Sequence, residues 1–183
     1  MVPINMETPK ALITVKGEVL IERLIKQLKE VGIEKIYVVV GFMKDSFEYL
    51  IDKYGVNLIY NPDYASKNSL FSLMCASRYI SNSYILPSDI YCEDNPFSEN
   101  ELYSWYLITD KKDDESKVRV NRRQEIVRSE KANQSNRLVG VSYLTKEDSA
   151  DFLKNAVSLS KNPEADDKFW EAAFYTDKKI TVY

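Results

Sequence analysis

The run Lys35-Ile36-Tyr37-Val38-Val39-Val40-Gly41 decides the fold class of this chain. Its side chains are almost continuously apolar and β-branched. Strands of all-parallel sheets are covered on both faces and show such runs, whereas half-exposed antiparallel strands alternate between apolar and polar residues. The run therefore predicts a central strand of a parallel sheet that ends at Gly41.

Helical segments lie on both sides of this strand. Residues Leu20–Val31 place their apolar side chains at the spacing of one helix face, and Gly32 follows as a stop signal. A second amphipathic segment, Lys44–Tyr54, is followed by Gly55. The next apolar run, Val56–Tyr60, predicts a further strand.

The same alternation extends in both directions along the chain. Ala11–Val15 is predicted as a short strand, and Asn68 or Ser69 as the cap of a third helix. The stretch Ser83–Glu93 contains another short strand, Tyr84–Leu86. Alternating strands and helices predict an α/β fold with a doubly wound, mostly parallel, Rossmann-like sheet.

The pattern changes after Asp94, where aromatic-rich, strand-like pieces follow one another. Val118–Val120 and Gln124–Val127 are predicted to pair as an antiparallel hairpin. Residues 95–137 are therefore expected to form a small antiparallel covering subdomain within a single domain, residues 1–183.

Composition excludes several classes of function. A net charge of −3 in 183 residues provides no general affinity for nucleic acid or for an anionic membrane. No apolar run approaches the roughly 20 residues that span a bilayer. Cys75 and Cys92 lack metal-site spacing and indicate a reducing, cytoplasmic compartment. Since the chain has no His, Ser-His and Cys-His triads are excluded, so the chemistry must use Lys, Asp, Glu, backbone amides or a bound metal.

Asp89 follows the predicted strand Tyr84–Leu86 and admits two interpretations. In open α/β sheets, ligands bind beyond the carboxyl ends of the strands, and Mg²⁺ binds there through one or two carboxylates plus substrate phosphates. Alternatively, Ser88-Asp89 after Pro87 is ordinary turn chemistry, and Asp89 only caps that turn.

Lys10 follows a rigid Thr8-Pro9 pair and is either a solvated surface lysine or an ammonium that binds a phosphate. Glu171 lies in the predicted short helix Asp166–Phe174. It is either the second carboxylate of a metal site or a solvent-facing residue, with its neighbour Trp170 in the core.

Six segments of the chain resemble motifs of the nucleotidyltransferase superfamily, and most closely those of bacterial CTP:phosphocholine cytidylyltransferase-like enzymes. Thr8-Pro9-Lys10 is similar to the end of the family's signature loop, and Ser88-Asp89 to its metal-binding segment. The other similar segments are Gly17–Glu22, Val38–Phe42, Tyr64–Leu73 with Ser69 at a position where the family has Asn, and Gly140–Tyr143.

The resemblance implies the nucleotidyltransferase type of α/β sheet, with the family's first strand and Gly-rich phosphate-binding loop expected ahead of Met1. It also implies a reaction in which a nucleoside triphosphate, expected to be CTP, and a small phosphomonoester such as phosphocholine give a diphosphoester and pyrophosphate. Such a reaction needs positioning and positive charge rather than a protein nucleophile.

The resemblance further assigns roles to individual residues. Mg²⁺ on Asp89 and Glu171 would offset the phosphate charge, and Lys10 would steady the phosphates as the catalytic cation. The nucleotide is expected to contact Pro9, Asn68 and Ser88. Aromatic rings would hold the trimethylammonium group of phosphocholine by cation–π attraction, and the candidates, each of which could equally be a core residue, are Trp105, Tyr143, Trp170 and Tyr175.

Two other functions remain open from the sequence. One is a sugar-1-phosphate nucleotidyltransferase of the same superfamily. The other is a non-catalytic, nucleotide-binding remnant, which an absent Gly-rich loop would favour. The sequence also leaves open whether the chain forms a homo-oligomer.

Overall fold

A computed structural model describes residues 8–112, 118–123, 125–129 and 135–174 of the chain. These residues form two compact units. The first comprises residues up to Ser66 together with Pro87–Asn100, and the second comprises Lys67–Leu86 and the residues from Glu101 onward. The boundary between the units does not fall at residue 95, and the described strands of the predicted covering subdomain belong to the second unit.

The first unit begins with a short turn and a hairpin. Lys10–Leu12 forms a turn of 3-10 helix, and the antiparallel strands β1 (Thr14–Val15) and β2 (Glu18–Val19) follow it. The predicted strand Ala11–Val15 is therefore wrong over its first half. The reason is a 3-10 turn that begins after Pro9, because the Leu12 N–H donates to the Pro9 carbonyl at 2.9 Å.

Helix α1 (Leu20–Glu30) directly follows this hairpin and carries the apolar face that the sequence predicts. The buried apolar residues of that face are Leu20, Ile21, Leu24, Ile25 and Leu28. Gly32 after the helix has φ +86°, a left-handed conformation that glycine adopts at little cost, and it confirms the predicted stop.

The predicted parallel strands are also present in the first unit. Strand β3 (Tyr37–Val40) pairs in parallel with β4 (Asn57–Tyr60), in the register Tyr37 opposite Asn57. The connection between them is a 3-10 turn at Lys44–Phe47 and a short helix α2 (Tyr49–Tyr54), where the sequence predicts one continuous helix.

The second unit is built on an antiparallel sheet. Its central strand β9 (Asn136–Leu144) lies between β5 (Ser83–Ile85) and β6 (Trp105–Lys112). Strand β5 was expected to continue the parallel sheet, but the ladder found among the described residues joins it antiparallel to β9, with Tyr84 opposite Tyr143. A short apolar run carries no signal for the direction of its partner, which accounts for the difference.

The remaining elements of the second unit surround its core. β7 (Val118–Val120) and β8 (Ile126–Arg128) form the predicted antiparallel hairpin. Helices α3 (Ser69–Cys75) and α4 (Lys146–Ser160) are capped by Asn68, as the sequence predicts, and by Thr145. The apolar core includes Leu70, Leu144, Phe152, Ala156, Trp170 and Phe174. Within the described residues, no helix is long and apolar enough to cross a bilayer.

Gly41, at the end of β3, is required by a close approach of Tyr64. A Cβ atom at residue 41 would lie 2.4 Å from the Tyr64 Cβ atom, closer than two carbon atoms can pack. We predict that Gly41→Ala lowers the free energy of unfolding by about 1–3 kcal/mol, the usual cost of overpacking. Urea titration followed by circular dichroism measures this change.

Measuring Gly41→Ala in a second variant, Tyr64→Gly, separates the steric clash from any other effect of the substitution. Since Tyr64→Gly removes the opposing Cβ, the cost of Gly41→Ala should largely disappear in that background. An equal cost in both backgrounds would contradict the steric explanation.

Candidate functional site

Lys10 is presented by the turn that opens the first unit. Pro9 precedes it with φ −55°, and the Ile13 N–H donates to the Lys10 carbonyl at 3.1 Å. Ala11 is buried, whereas the Lys10 side chain is exposed. Among the described residues Lys10 makes no ion pair. The turn therefore holds the backbone in place and leaves the ammonium group open to an anion.

Asp89 also belongs to the first unit, in the segment Pro87–Asn100. Ser88 and Asp89 form an exposed turn, four residues after β5 ends at Ile85, as the sequence predicts. Within the described part of the chain, the Asp89 carboxylate forms no ion pair. One unit thus contains both the predicted ammonium and the predicted carboxylate, each open to solvent.

Asn68, in the second unit, caps α3 and ties it to a distant segment. Its side-chain oxygen accepts a hydrogen bond from the Ser69 N–H at 2.7 Å, and its side-chain NH₂ donates to the Asp167 carbonyl at 3.3 Å. The Trp170 N–H in turn donates to the Ser69 hydroxyl at 3.2 Å. The predicted cap is confirmed, while contact of Asn68 with a nucleotide stays a prediction.

Glu171 is a buried residue of the second unit, and the solvent-facing interpretation of it is wrong. Its residue exposure is 7%, and it lies in a 3-10 turn at Trp170–Phe174 rather than in a longer helix. The Tyr106 hydroxyl donates to Glu171 Oε1 at 2.8 Å and accepts from the Gly140 N–H at 2.7 Å. Glu171 Oε2 is buried and has no hydrogen-bond partner among the residues that the structure describes.

This environment destabilises the charged form of Glu171. Burial raises the pKa of the carboxyl above its ordinary value, and hydrogen bonds from its own backbone and from Tyr106 offset only part of that effect. The residues around it, among them Ile126, Leu138 and Phe174, are apolar. A carboxylate with a buried, unpartnered oxygen fits a group that would bind a cation, since cation binding would satisfy that oxygen.

A metal site made of protein side chains alone is not present in the described residues. Residues 8–112, 118–123, 125–129 and 135–174 contain no group of three or more Cys, Asp or Glu side chains that could hold an ion. Mg²⁺ that binds through one or two carboxylates and completes its coordination with substrate phosphates and water does not require such a group.

Two of the predicted aromatic residues, Trp105 and Tyr143, lie opposite each other on β6 and β9. The Tyr84 ring contacts both edge-on, at centroid distances of 5.9 Å to Trp105 and 5.0 Å to Tyr143. A trimethylammonium group does not fit between rings in such contact, so a cation would have to bind an outer ring face. Trp105 is half-buried and Tyr143 is buried.

Trp170 has the core position that the sequence allowed as its alternative. Its ring packs against Tyr106, Phe152 and Phe174 at centroid distances of 5.7, 6.0 and 5.7 Å. This burial favours the core interpretation over contact with a substrate. Tyr175 lies outside the described residues.

Sequence reasoning missed two features of these units. The first is the hydrogen bond between Tyr106 and Glu171, which joins residues 65 positions apart. The second is a set of contacts from Arg23 to the segment that follows Asp89. Neither leaves a signal in local periodicity. An Arg on the polar side of an amphipathic helix is the only hint that the sequence offers.

Both the sequence and the structure of this chain are similar to those of known proteins. The profile of the MobA-like NTP transferase domain matches residues 5–106. The choline-phosphate cytidylyltransferase of Streptococcus pneumoniae is 40% identical over 111 residues, which are 61% of this chain and 48% of that protein. The enzyme of the same name from Haemophilus influenzae is 30% identical over 149 residues, covering 79% of this chain and 64% of that protein.

A solved structure of CTP:phosphocholine cytidylyltransferase from Streptococcus pneumoniae superimposes on this chain with a TM-score of 0.88 at 30% identity. The superposition covers 100% of this chain and 82% of that one. The predicted Rossmann-like α/β fold of the nucleotidyltransferase type is confirmed. The chain spans less than two thirds of the length of the two curated relatives.

The environment of Glu171 makes a prediction about stability and pH. Because the pKa of Glu171 is raised in the folded protein, the unfolded chain releases this proton first as the pH rises. The contribution of Glu171 to stability is therefore present below its unfolded pKa, near 4.3, and is lost as pH rises through the folded pKa. The Gln side chain of the Glu171→Gln variant cannot ionise, so this variant should not lose stability in that pH range.

We expect Glu171→Gln to gain stability relative to the wild type as the pH rises from the unfolded pKa to the folded pKa of Glu171, by up to about 1.4 kcal/mol per pH unit. Chemical unfolding with EDTA present measures the difference. Glu164→Gln, at an exposed carboxylate of the same unit, should follow the wild type. A pH-independent gain for Glu171→Gln would contradict the prediction.

Proposed function

The chain belongs to the MobA-like NTP transferase family, and we propose that it transfers the cytidylyl group of CTP to phosphocholine and releases pyrophosphate. The observation that carries the proposal is the joint likeness to cytidylyltransferases in sequence, at 40% identity, and in structure, at a TM-score of 0.88. Both of those proteins are named for this nucleotide and this acceptor.

The reaction is a single phosphoryl substitution without a redox change. A phosphate oxygen of phosphocholine attacks the α-phosphorus of CTP, and the bond from that phosphorus to the β-phosphate oxygen breaks. The products are CDP-choline and pyrophosphate. Because two anions must approach each other, the protein has to supply positive charge and alignment, and no side chain has to act as a nucleophile.

In this proposal Lys10 binds the phosphates of CTP. Its exposed ammonium is free of ion pairs within the described residues, and the Pro9 turn holds its backbone. A fixed point charge of this kind lowers the cost of bringing a second phosphate to the first. Pro9 and Ser88 are proposed to line the same nucleotide site, and Asn68 is a further candidate for contact with the nucleotide.

Asp89 and Glu171 are each proposed as a ligand of Mg²⁺. Asp89 is exposed in a turn of the first unit, and Glu171 of the second unit has a buried oxygen that lacks a partner among the described residues. When bound, Mg²⁺ supplies charge neutralisation at the reacting phosphates. Asp89 has the stronger claim, since its carboxylate is accessible without any rearrangement.

Recognition of the acceptor is proposed to involve an aromatic face, because a quaternary ammonium binds such faces with roughly 0.5–2 kcal/mol. Trp105 is the candidate with an accessible ring, since Tyr143 and Trp170 are buried. A phosphomonoester whose ammonium lacks the methyl groups is more strongly hydrated and would gain less from this contact.

An acceptor panel tests the proposal. The protein is incubated with CTP, Mg²⁺ and either phosphocholine, phosphoethanolamine or glucose 1-phosphate, and released pyrophosphate is measured with a coupled assay. We expect turnover with phosphocholine, less with phosphoethanolamine and none with glucose 1-phosphate. Preference for glucose 1-phosphate would favour a sugar-1-phosphate nucleotidyltransferase. Calorimetric binding of CTP without turnover on any acceptor would favour the non-catalytic remnant.

Two substitutions test the assigned residues. Asp89→Asn should reduce kcat at least about 100-fold, because the amide cannot replace a charged metal ligand. Lys10→Gln should lower kcat/KM for CTP about 10- to 100-fold, the value of one charge-assisted contact. Pyrophosphate release measures both effects.

Matched controls accompany these variants. Asp94→Asn lies in the same segment as Asp89, and Lys35→Gln removes an exposed lysine of the same unit as Lys10. Both controls should retain wild-type rates, and all four variants should keep the wild-type thermal midpoint. Wild-type turnover by Asp89→Asn would remove Asp89 from the mechanism.

A further inference from the structure

The segment that follows Asp89 has no regular secondary structure of its own. Residues 91–93 belong neither to a helix nor to a strand, so their carbonyl groups need hydrogen-bond partners from elsewhere. Those partners come from α1. The Arg23 Nε–H donates to the Cys92 carbonyl at 2.7 Å, and the outer guanidinium nitrogen of Arg23 donates to the Glu93 carbonyl.

Other contacts strengthen this attachment. The Arg23 guanidinium lies 4.7 Å from the centroid of the Tyr91 ring. The Gln27 side-chain NH₂ donates to the Cys92 carbonyl at 3.1 Å. Lys16 contributes an ion pair to Glu93 at 2.7 Å, but that pair is solvent-exposed and contributes little. Arg23 therefore makes the largest number of different contacts with the segment.

The guanidinium group is itself held in place before it reaches the segment. Another of its nitrogens pairs with the Glu18 carboxylate on β2, and only 19% of the Arg23 side chain is exposed. A planar guanidinium can bridge a carboxylate, two carbonyls and a ring face at the same time, whereas an ammonium cannot. Arg23 thus joins the hairpin, the helix and the Tyr91–Glu93 segment.

The same helix also supports the turn that carries Lys10. The turn Lys10–Leu12 packs against α1, and the Leu20 N–H at the start of the helix donates to the Ile13 carbonyl at 3.1 Å. Consequently, the elements that present Lys10 and Asp89 are attached to a single helix, one at its amino end and the other at Arg23 and Gln27.

We infer that Arg23 is a positioning residue, which sets the place of the Asp89 turn by anchoring residues 91–93 to the helix that also supports the Lys10 turn. The inference rests on the proposed function for the role of Asp89. It adds to that function the residue that keeps the Asp89 carboxylate in its place. Arg23 is not proposed to contact a substrate.

The test compares Arg23→Gln with Lys26→Gln. Arg23 and Lys26 lie on the same helix, and each variant removes a cation that pairs with Glu18. Lys26, at 3.3 Å from Glu18, makes no hydrogen bond or ion pair with residues 91–93 in the described structure. The first readout is the ¹⁵N backbone order parameter of residues 88–90, which does not depend on turnover. We expect it to fall from about 0.85 to below about 0.6 in Arg23→Gln and to stay unchanged in Lys26→Gln.

The second readout is the Mg²⁺ concentration that gives half-maximal pyrophosphate release. It should rise about tenfold in Arg23→Gln, with a smaller change in KM for CTP, because a mobile Asp89 binds the ion less well. If Arg23→Gln does not fold, Gln27→Leu removes the other bond to the Cys92 carbonyl and should shift both readouts in the same direction by less.

The two readouts separate this inference from the proposed function. Absence of turnover in the wild type would overturn the proposed function, and the order parameters of residues 88–90 would still decide whether Arg23 holds the turn. Unchanged order parameters in Arg23→Gln, or lowered ones with an unchanged Mg²⁺ requirement in an active enzyme, would overturn the inference.

Discussion

Burial of one face of α1 is the constraint on which the first unit depends. Five apolar side chains of this helix are less than 9% exposed, namely Leu20, Ile21, Leu24, Ile25 and Leu28. Each such burial contributes about 1.5–3 kcal/mol, more than the roughly 1 kcal/mol of a typical hydrogen bond. The polar contacts of Arg23 and Gln27 therefore do not fold the unit. They select where an otherwise irregular segment lies on a helix that hydrophobic burial has already placed.

Two buried carboxylates show how the chain separates a structural acid from a candidate functional one. Burial alone would raise the pKa of Glu22, but hydrogen bonds from Lys53, Tyr54 and Tyr49 outweigh it and hold the pKa below its ordinary value. Glu171 accepts a hydrogen bond from Tyr106, its other side-chain oxygen has no partner within the described part of the chain, and its pKa is raised. The contrast shows that burial raises the pKa of a carboxyl group unless enough donors surround it.

The family match covers the residues that are proposed to act on the triphosphate. The MobA-like profile covers residues 5–106, which include Lys10 and Asp89 and end before Tyr143 and Glu171. The two residues proposed to act on the triphosphate thus lie in the part shared by a broad family of NTP transferases. The aromatic candidates for acceptor binding are divided by this boundary, since Trp105 lies within the matched residues and Tyr143 lies beyond them.

Short-range sequence signals are sufficient to predict the local elements of this protein. The Tyr37–Val40 strand, the α1 face, the glycine stops at Gly32 and Gly55, the Asn68 cap and the turn at Asp89 all follow from signals contained within a few residues of one another. Three features became visible only in the folded chain: the antiparallel direction of β5, the burial of Glu171 with its hydrogen bond from Tyr106, and the attachment of residues 91–93 to Arg23. Each of these joins residues more than 50 positions apart. Periodicity records which face of an element is buried but not which distant group covers it, and that choice depends on how the whole chain packs.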